Sequence, residues 1–229
     1  MSKNGFTLSE ILITLGVIGV VAAMTLPTLI KNYKYKVLES QLKKGYSTVS
    51  QALLMMYADT GIDINYQNYP SFSFYPAFIK YLRINKSSIS NILRRDGSYM
   101  SLDYMNYNNT AEANAALFDE GQMILNDNMA IYIQNSDIGN YGLFITIDVN
   151  GLNTKPNRWG HDLFSFRVEN NGKLTPMADP NGTDKYRDKS AYCSKTSTAQ
   201  ENGIACAYYA INNICPDDSS KSYWSCLPR

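Results

Sequence analysis

The apolar positions of this chain change period twice. From Gly5 to Ile30, GFTLSEILITLGVIGVVAAMTLPTLI, they are almost continuous, and Glu10 is the only charge between Phe6 and Ile30. At about 1.5 Å per residue such a run exceeds the roughly 20 residues that cross a bilayer. A carboxylate inside it costs roughly 2.5 to 3.5 kcal/mol on insertion scales, so Glu10 needs a proton or a partner. Beyond Ile30 the apolar positions thin to every third or fourth residue: Tyr35, Leu38, Leu42, Tyr46, Val49, Leu53 and Met56. The spacing predicts an amphipathic continuation of the same helix. One helix is therefore expected from about Phe6 to Ala58. It is interrupted near Pro27, which lacks a backbone donor and crowds the preceding turn, and Gly61 ends it.

From Ile62 to about Asn114 no simple period holds, and Tyr, Asn and Ser dominate. Tyr75 to Ile84 reads as a short helix with Pro76 in its first turn, and Ala111 to Glu120 as a second. Then the period becomes two. Met123 to Leu125 and Met129 to Gln134 flank the turn Asn126-Asp127-Asn128 as a hairpin. Leu143 to Val149 and Leu163 to Glu169 read as further strands, and Asn170-Asn171-Gly172 turns the second into Lys173 to Met177. The expected fold is α+β. A long N-terminal helix, its first half membrane-spanning, packs its second half on one face of an antiparallel sheet of about four to five strands.

Composition fits that division. With 229 residues, 45% hydrophobic and a net charge of +1, the chain has room for one span and one ordinary domain. Its near-neutral charge offers no general attraction to nucleic acid, and none is expected as a partner. Residues 1–5 read as a leader, 6–30 as the spanning half of the helix, 31–60 as its amphipathic half, and 61–229 as a globular head. The tail from about 180 holds Cys193, Cys206, Cys215 and Cys226. An even count clustered in a loop-rich tail indicates disulfides and an oxidising compartment. No CxxC pair occurs and the one histidine, His161, is distant, which argues against zinc. Of the three possible pairings, Cys193 with Cys206 and Cys215 with Cys226 close the shortest loops.

Lys31, Lys34, Lys36, Lys43 and Lys44 follow the apolar run, whereas only Lys3 precedes it. A bare positive-inside count would leave the head in the cytoplasm. The cysteines and the polar head outweigh it, since large domains translocate despite their charge. The lysines are read as a solvated helix face, with acidic lipid headgroups as the other reading.

The polar leader MSKNG, the Gly-Phe step and the acid four residues later resemble the class III signal of type IV pilins and type II secretion pseudopilins. An ordinary secretory signal would have a shorter apolar run and a small-residue site after it, and Val21 to Thr25 makes a poor one. A plain signal anchor would not explain G-F-T-L-S-E. The resemblance implies cleavage after Gly5, methylation of the new N-terminus at Phe6, and pairing of Glu10 with a neighbouring subunit's N-terminus. It makes Pro27 the helix-kinking proline. It also implies a single-pass protein of the inner membrane, its C-terminal domain outside the cytoplasm, later part of a periplasmic or cell-surface filament. Implied partners are identical or related pilin subunits, a prepilin peptidase and methylase, an inner-membrane platform, a cytoplasmic assembly ATPase and membrane lipid.

The connection from Asp148 to Asp162 is dense in oxygen ligands. Together with Phe164 it resembles a D-x-N-G...G-x-D-x-F segment of pseudopilin-like sequences. Calcium would accept Asp148 and Asp162 as ligands, but the spacing is not that of an EF-hand, and Asp, Asn and Gly are ordinary turn formers. A structural loop is expected and no cofactor is required. No Walker A sequence or nucleophile elbow occurs, and a single histidine makes triads hard to build. The expected role is a structural filament subunit and not an enzyme. The alternative is a single-pass anchored, exported domain with binding or hydrolytic activity.

Overall fold

The computed structural model describes residues 7–84, 103–136, 142–182 and 185–228. The first element, α1 (Leu8–Thr60), belongs to both of the chain's two units, Met1–Val37 and Leu38–Arg229. It continues through Pro27 without the expected interruption. The proline nitrogen cannot donate to the carbonyl of Ala23, yet one missing bond leaves the flanking turns intact. Gly61 ends the helix as expected. It sits at φ +64°, a left-handed conformation that costs glycine little, and its N–H closes on the Tyr57 carbonyl at 2.9 Å.

In the second unit α1 buries Leu38, Leu42, Gly45, Val49, Ala52, Leu53 and Met56, one face of the helix at three- and four-residue steps. That face lies on a five-stranded antiparallel sheet, ordered as in sequence: β1 (Gly121–Ile124), β2 (Ala130–Ser136), β3 (Gly142–Asp148), β4 (Leu163–Val168) and β5 (Leu174–Pro176). Ile145 of β3 sits opposite Ile133 of β2 and Phe166 of β4, which fixes the register through the middle of the sheet. A Cβ on Gly45 would meet Ile147 Cγ2 at 3.2 Å, so the missing side chain lets helix and sheet approach. Tyr46 adds its ring against Phe166 and its hydroxyl to the Leu174 carbonyl at 2.9 Å.

Sequence periodicity anticipates one buried sheet face, but two are buried. Strand side chains alternate, and Ala130, Tyr132, Phe144 and Leu163 join a second core with Tyr104, Leu117, Phe118, Trp159, Met177, Tyr186 and Ile204. Its cover is irregular chain. The expected helix over Ala111 to Glu120 contracts to a 3₁₀ turn at Ala115–Leu117, because Glu112 is bridged to Met105 and the Asn114 side chain caps the turn. The expected Tyr75–Ile84 helix is α2 (Phe74–Phe78) with a 3₁₀ turn at Ile79–Tyr81, and Leu82 turns extended. Residues 85–102 of the Tyr- and Asn-rich region lie outside the described residues.

The tail holds α3 (Lys189–Tyr192), α4 (Cys206–Ile211) and a 3₁₀ turn at Tyr223–Ser225. Disulfides join Cys193 to Cys206 and Cys215 to Cys226, the shortest-loop pairing. The first ties the end of α3 to the start of α4. The tail is held to the head by Tyr223 Oη donating to the Gly160 carbonyl at 2.5 Å and by Asn108 Nδ2 donating to the Lys195 and Ser197 carbonyls.

Candidate functional site

The N-terminal segment carries most of the residues that the sequence singles out. Gly5 and Phe6 lie outside the described residues; Thr7 is the first described. Thr7 Oγ1 accepts from the Glu10 backbone N–H at 3.2 Å. Glu10 Oε2 in turn accepts from the Thr7 backbone N–H at 2.8 Å and from the Thr7 hydroxyl at 2.9 Å. This is a reciprocal capping box, which satisfies donors that the first helical turn leaves without partners. Glu10 therefore has a partner within its own chain. The sequence signal for it is Thr7-Leu8-Ser9-Glu10, a T-x-x-E pattern ahead of an apolar run.

Beyond the cap, Leu8, Ile11, Leu12, Ile13, Leu15, Val17 and Ile18 all point outward. Among the described residues nothing covers them: within the most apolar stretch of α1 no residue is buried. This helix is long and apolar enough to cross a membrane. Thr14 and Thr25 lie in the same stretch, and their hydroxyls donate to the carbonyls of Ile11 and Val21, so neither presents an unmet polar group.

Residues 1–26 match the family model described as the prokaryotic N-terminal methylation motif. The chain carries the type IV pilin and pseudopilin signal. No curated protein and no solved structure matches the chain. The motif implies processing by a prepilin peptidase and assembly with other pilin subunits, and with the apolar helix it fits a membrane-anchored, single-pass protein.

The acid-bearing loop between Asp148 and Asp162 has another character. Asp148 closes β3, and its Oδ1 accepts from the backbone N–H groups of Asn150 at 3.2 Å and Gly151 at 2.8 Å. Its Oδ2 accepts from the Tyr104 hydroxyl at 2.5 Å, and Tyr104 has only one proton to give. The Tyr132 hydroxyl, 2.9 Å from that of Tyr104, is then the donor to it, giving a buried relay Tyr132 to Tyr104 to Asp148. At the far end of the loop Asp162 accepts from the N–H groups of Asn157 and Arg158, both at 2.7 Å. Each carboxylate thus folds the chain beside it into a turn. The candidate cation ligands Asp148 and Asp162 face these N–H and O–H donors. Among the described residues no group of three or more His, Cys, Asp or Glu side chains is placed to hold a metal.

Burial shapes the charge states here. It raises the Asp148 carboxyl to about 6, and burial with the Asp148 charge beside it raises Asp162 to about 7. Burial and the Arg158 charge hold His161 down at about 3, so its ring is neutral. His161 Nε2 lies 3.1 Å from the Tyr107 carbonyl, which makes Nε2 the protonated nitrogen. The same carbonyl accepts from Arg158 Nη2 at 2.6 Å. His161 and Asp162 are adjacent in sequence but serve different partners, and the described geometry joins them in no catalytic relay.

Proposed function

We infer that this chain is a structural subunit of a type IV pilus-like or type II secretion pseudopilus filament. The observation that carries the reading is the methylation motif over residues 1–26 running into a helix whose apolar side chains no described residue covers. A helix of that kind needs lipid before assembly and neighbouring helices after it. On this reading the peptidase cuts between Gly5 and Phe6 on the cytoplasmic side of the inner membrane and Phe6 is N-methylated. The head passes to the oxidising side, consistent with its two disulfides. An inner-membrane platform and a cytoplasmic ATPase drive the incorporation. The role is structural and not enzymatic, and the engagement of the buried acids with backbone donors supports it.

Glu10 is the residue on which the reading turns. At 4 Å and an effective dielectric near 20, its carboxylate and a neighbouring Phe6 amine would attract by about 4 kcal/mol before desolvation is subtracted. The capping box keeps that carboxylate at the first turn, where an incoming amine could reach it while the Thr7 bonds persist or give way. Intact-mass measurement should find a mature chain that starts at Phe6 with one added methyl group. Glu10→Ala should leave cleavage intact and lower the ratio of filament to membrane pool at least tenfold at equal expression. Normal incorporation of that variant would instead favour the anchored-domain reading, and a mature chain still starting at Met1 would remove the basis for both steps.

A further inference from the structure

Between the end of the apolar run at Ile30 and the start of the folded unit at Leu38 lies the segment Lys-Asn-Tyr-Lys-Tyr-Lys-Val, residues 31–37. We propose that this segment is a lipid-binding collar, in which Lys31, Lys34 and Lys36 hold the anionic phosphate headgroups of the leaflet at the Ile30 end of the span. The proposal rests on the reading that the apolar half of α1 crosses a membrane.

The collar's length fits an interface. It measures about 10 Å of helix. A bilayer is about 30 Å thick across its hydrocarbon and about 40 to 45 Å with its headgroups, which leaves roughly 5 to 8 Å for each interfacial layer. A segment that starts where the hydrocarbon ends therefore traverses that layer.

The distribution of its side chains suits a headgroup layer. A solvated face on a packed helix is one-sided, because the other side meets protein. Here, at roughly 100° per residue, Lys31, Lys34 and Lys36 fall at about 0°, 300° and 140° around the axis, with Tyr35 near 40° and Tyr33 near 200°. Lysine and tyrosine thus surround the helix. Tyr33 is 69% exposed, and no residue of the segment is buried. The Lys31 ammonium lies over the Tyr35 ring, 5.5 Å from its centre, a cation–π contact that leaves its N–H donors for an oxygen ligand. Tyrosine and lysine in this combination suit a membrane interface, the ring at headgroup level and the ammonium at the phosphate.

Charge pairing gives an independent contrast. In the folded unit Lys43 pairs with Glu39 at 2.6 Å and Lys44 with Asp127 at 2.7 Å. Among the described residues no carboxylate pairs with Lys31, Lys34 or Lys36. The lysines that follow the apolar run thus divide into two that the protein neutralises and three that it leaves for an external anion. A phospholipid phosphate is the anion found at the end of a span, all around a helix and at high density.

The test uses the full chain in vesicles that carry spin-labelled phosphatidylglycerol or spin-labelled phosphatidylcholine, and reads the fraction of each label immobilised by the protein. The wild-type chain should favour the anionic lipid by about fivefold or more, since one lysine near the surface contributes about that factor. High salt should reduce the preference. K31Q/K34Q/K36Q should bring it close to one, whereas K43Q/K44Q should leave it unchanged. Equal immobilisation of both lipids by the wild-type chain would overturn the collar while leaving the span intact. An equal loss in K43Q/K44Q would overturn it too, by making the preference a matter of net charge. No immobilised lipid of either kind would overturn both the span and the collar.

Discussion

The two halves of α1 are continuous in backbone yet use apolar side chains in opposite ways. Toward the N-terminus Leu15 is 61% exposed and its neighbours share that fate; in the folded unit Leu42 is fully buried. The difference lies in pattern and not in hydrophobicity. A continuous apolar run has no polar side to give to water and no polar partner to recognise, so it suits an apolar solvent or a ring of similar helices. A stripe at three- and four-residue steps has one face for a sheet and another for water. The same element therefore anchors through one half and folds through the other.

The largest test of that contrast is one substitution made twice. Leu42→Ala removes a buried side chain from the helix–sheet core and should destabilise the head by about 2 to 5 kcal/mol. Leu15→Ala removes an exposed one and should leave the denaturant midpoint of the head unchanged. Both are read by chemical unfolding of the full chain in detergent, followed by the fluorescence of Trp159 and Trp224. Equal losses would mean that the N-terminal half contributes to the folded unit, and the division at Leu38 would have to be abandoned.

A smaller effect sharpens the packing half. Gly45 stands where a Cβ would meet Ile147 Cγ2 at 3.2 Å and the Met129 sulfur at 3.4 Å. Gly45→Val should separate helix from sheet and cost about 1 to 3 kcal/mol by overpacking. Gly19 has nothing within 4 Å of its missing Cβ, so Gly19→Val should leave the same unfolding midpoint in place. A higher midpoint for Gly45→Val would show that the gain in helix propensity outweighs the clash.

These positions also mark what the sequence could and could not convey. The stripe from Leu38 to Met56 and the alternating strands were legible because each element's period records the face it buries. The cleavage signal was legible as a motif, and the cysteine pairing followed from loop length. The second core was not legible. Tyr104, Phe118, Trp159 and Tyr186 reach it from chain without regular period, where a buried aromatic and an exposed one look alike. The helix runs on through Pro27, since loss of a single donor need not end a helix. At Glu10 the motif points to assembly, and only Thr7 three residues before it marks the local role in the cap.

The smallest expected effect concerns pH, because opposing groups partly cancel. Asp148 and Asp162 titrate as neighbours raised to about 6 and about 7 by burial. Their folded values exceed the unfolded one near 4, so the stability they contribute is full below about pH 4 and is lost as the pH rises through 6 to 7. Asp119 and Glu120, half-buried and also raised by burial, act in the same direction. His161 acts oppositely. Its folded value of about 3 lies below the unfolded value near 6.5, so its contribution is full above about 6.5 and is lost as the pH falls toward 3. Between about pH 4 and 6 the two buried aspartates hold about two extra protons in the folded chain and the histidine about one fewer. The raised carboxyls outnumber the one depressed histidine, so stability should fall with rising pH over this interval. Unfolding free energies at pH 4, 5 and 6 check the sign. His161→Gln keeps a side-chain donor for the Tyr107 carbonyl but removes the opposing titration, and should steepen the fall. A stability that rises over this interval in the parent chain would show that the N–H and O–H donors around Asp148 and Asp162 hold both carboxylates ionised despite their burial.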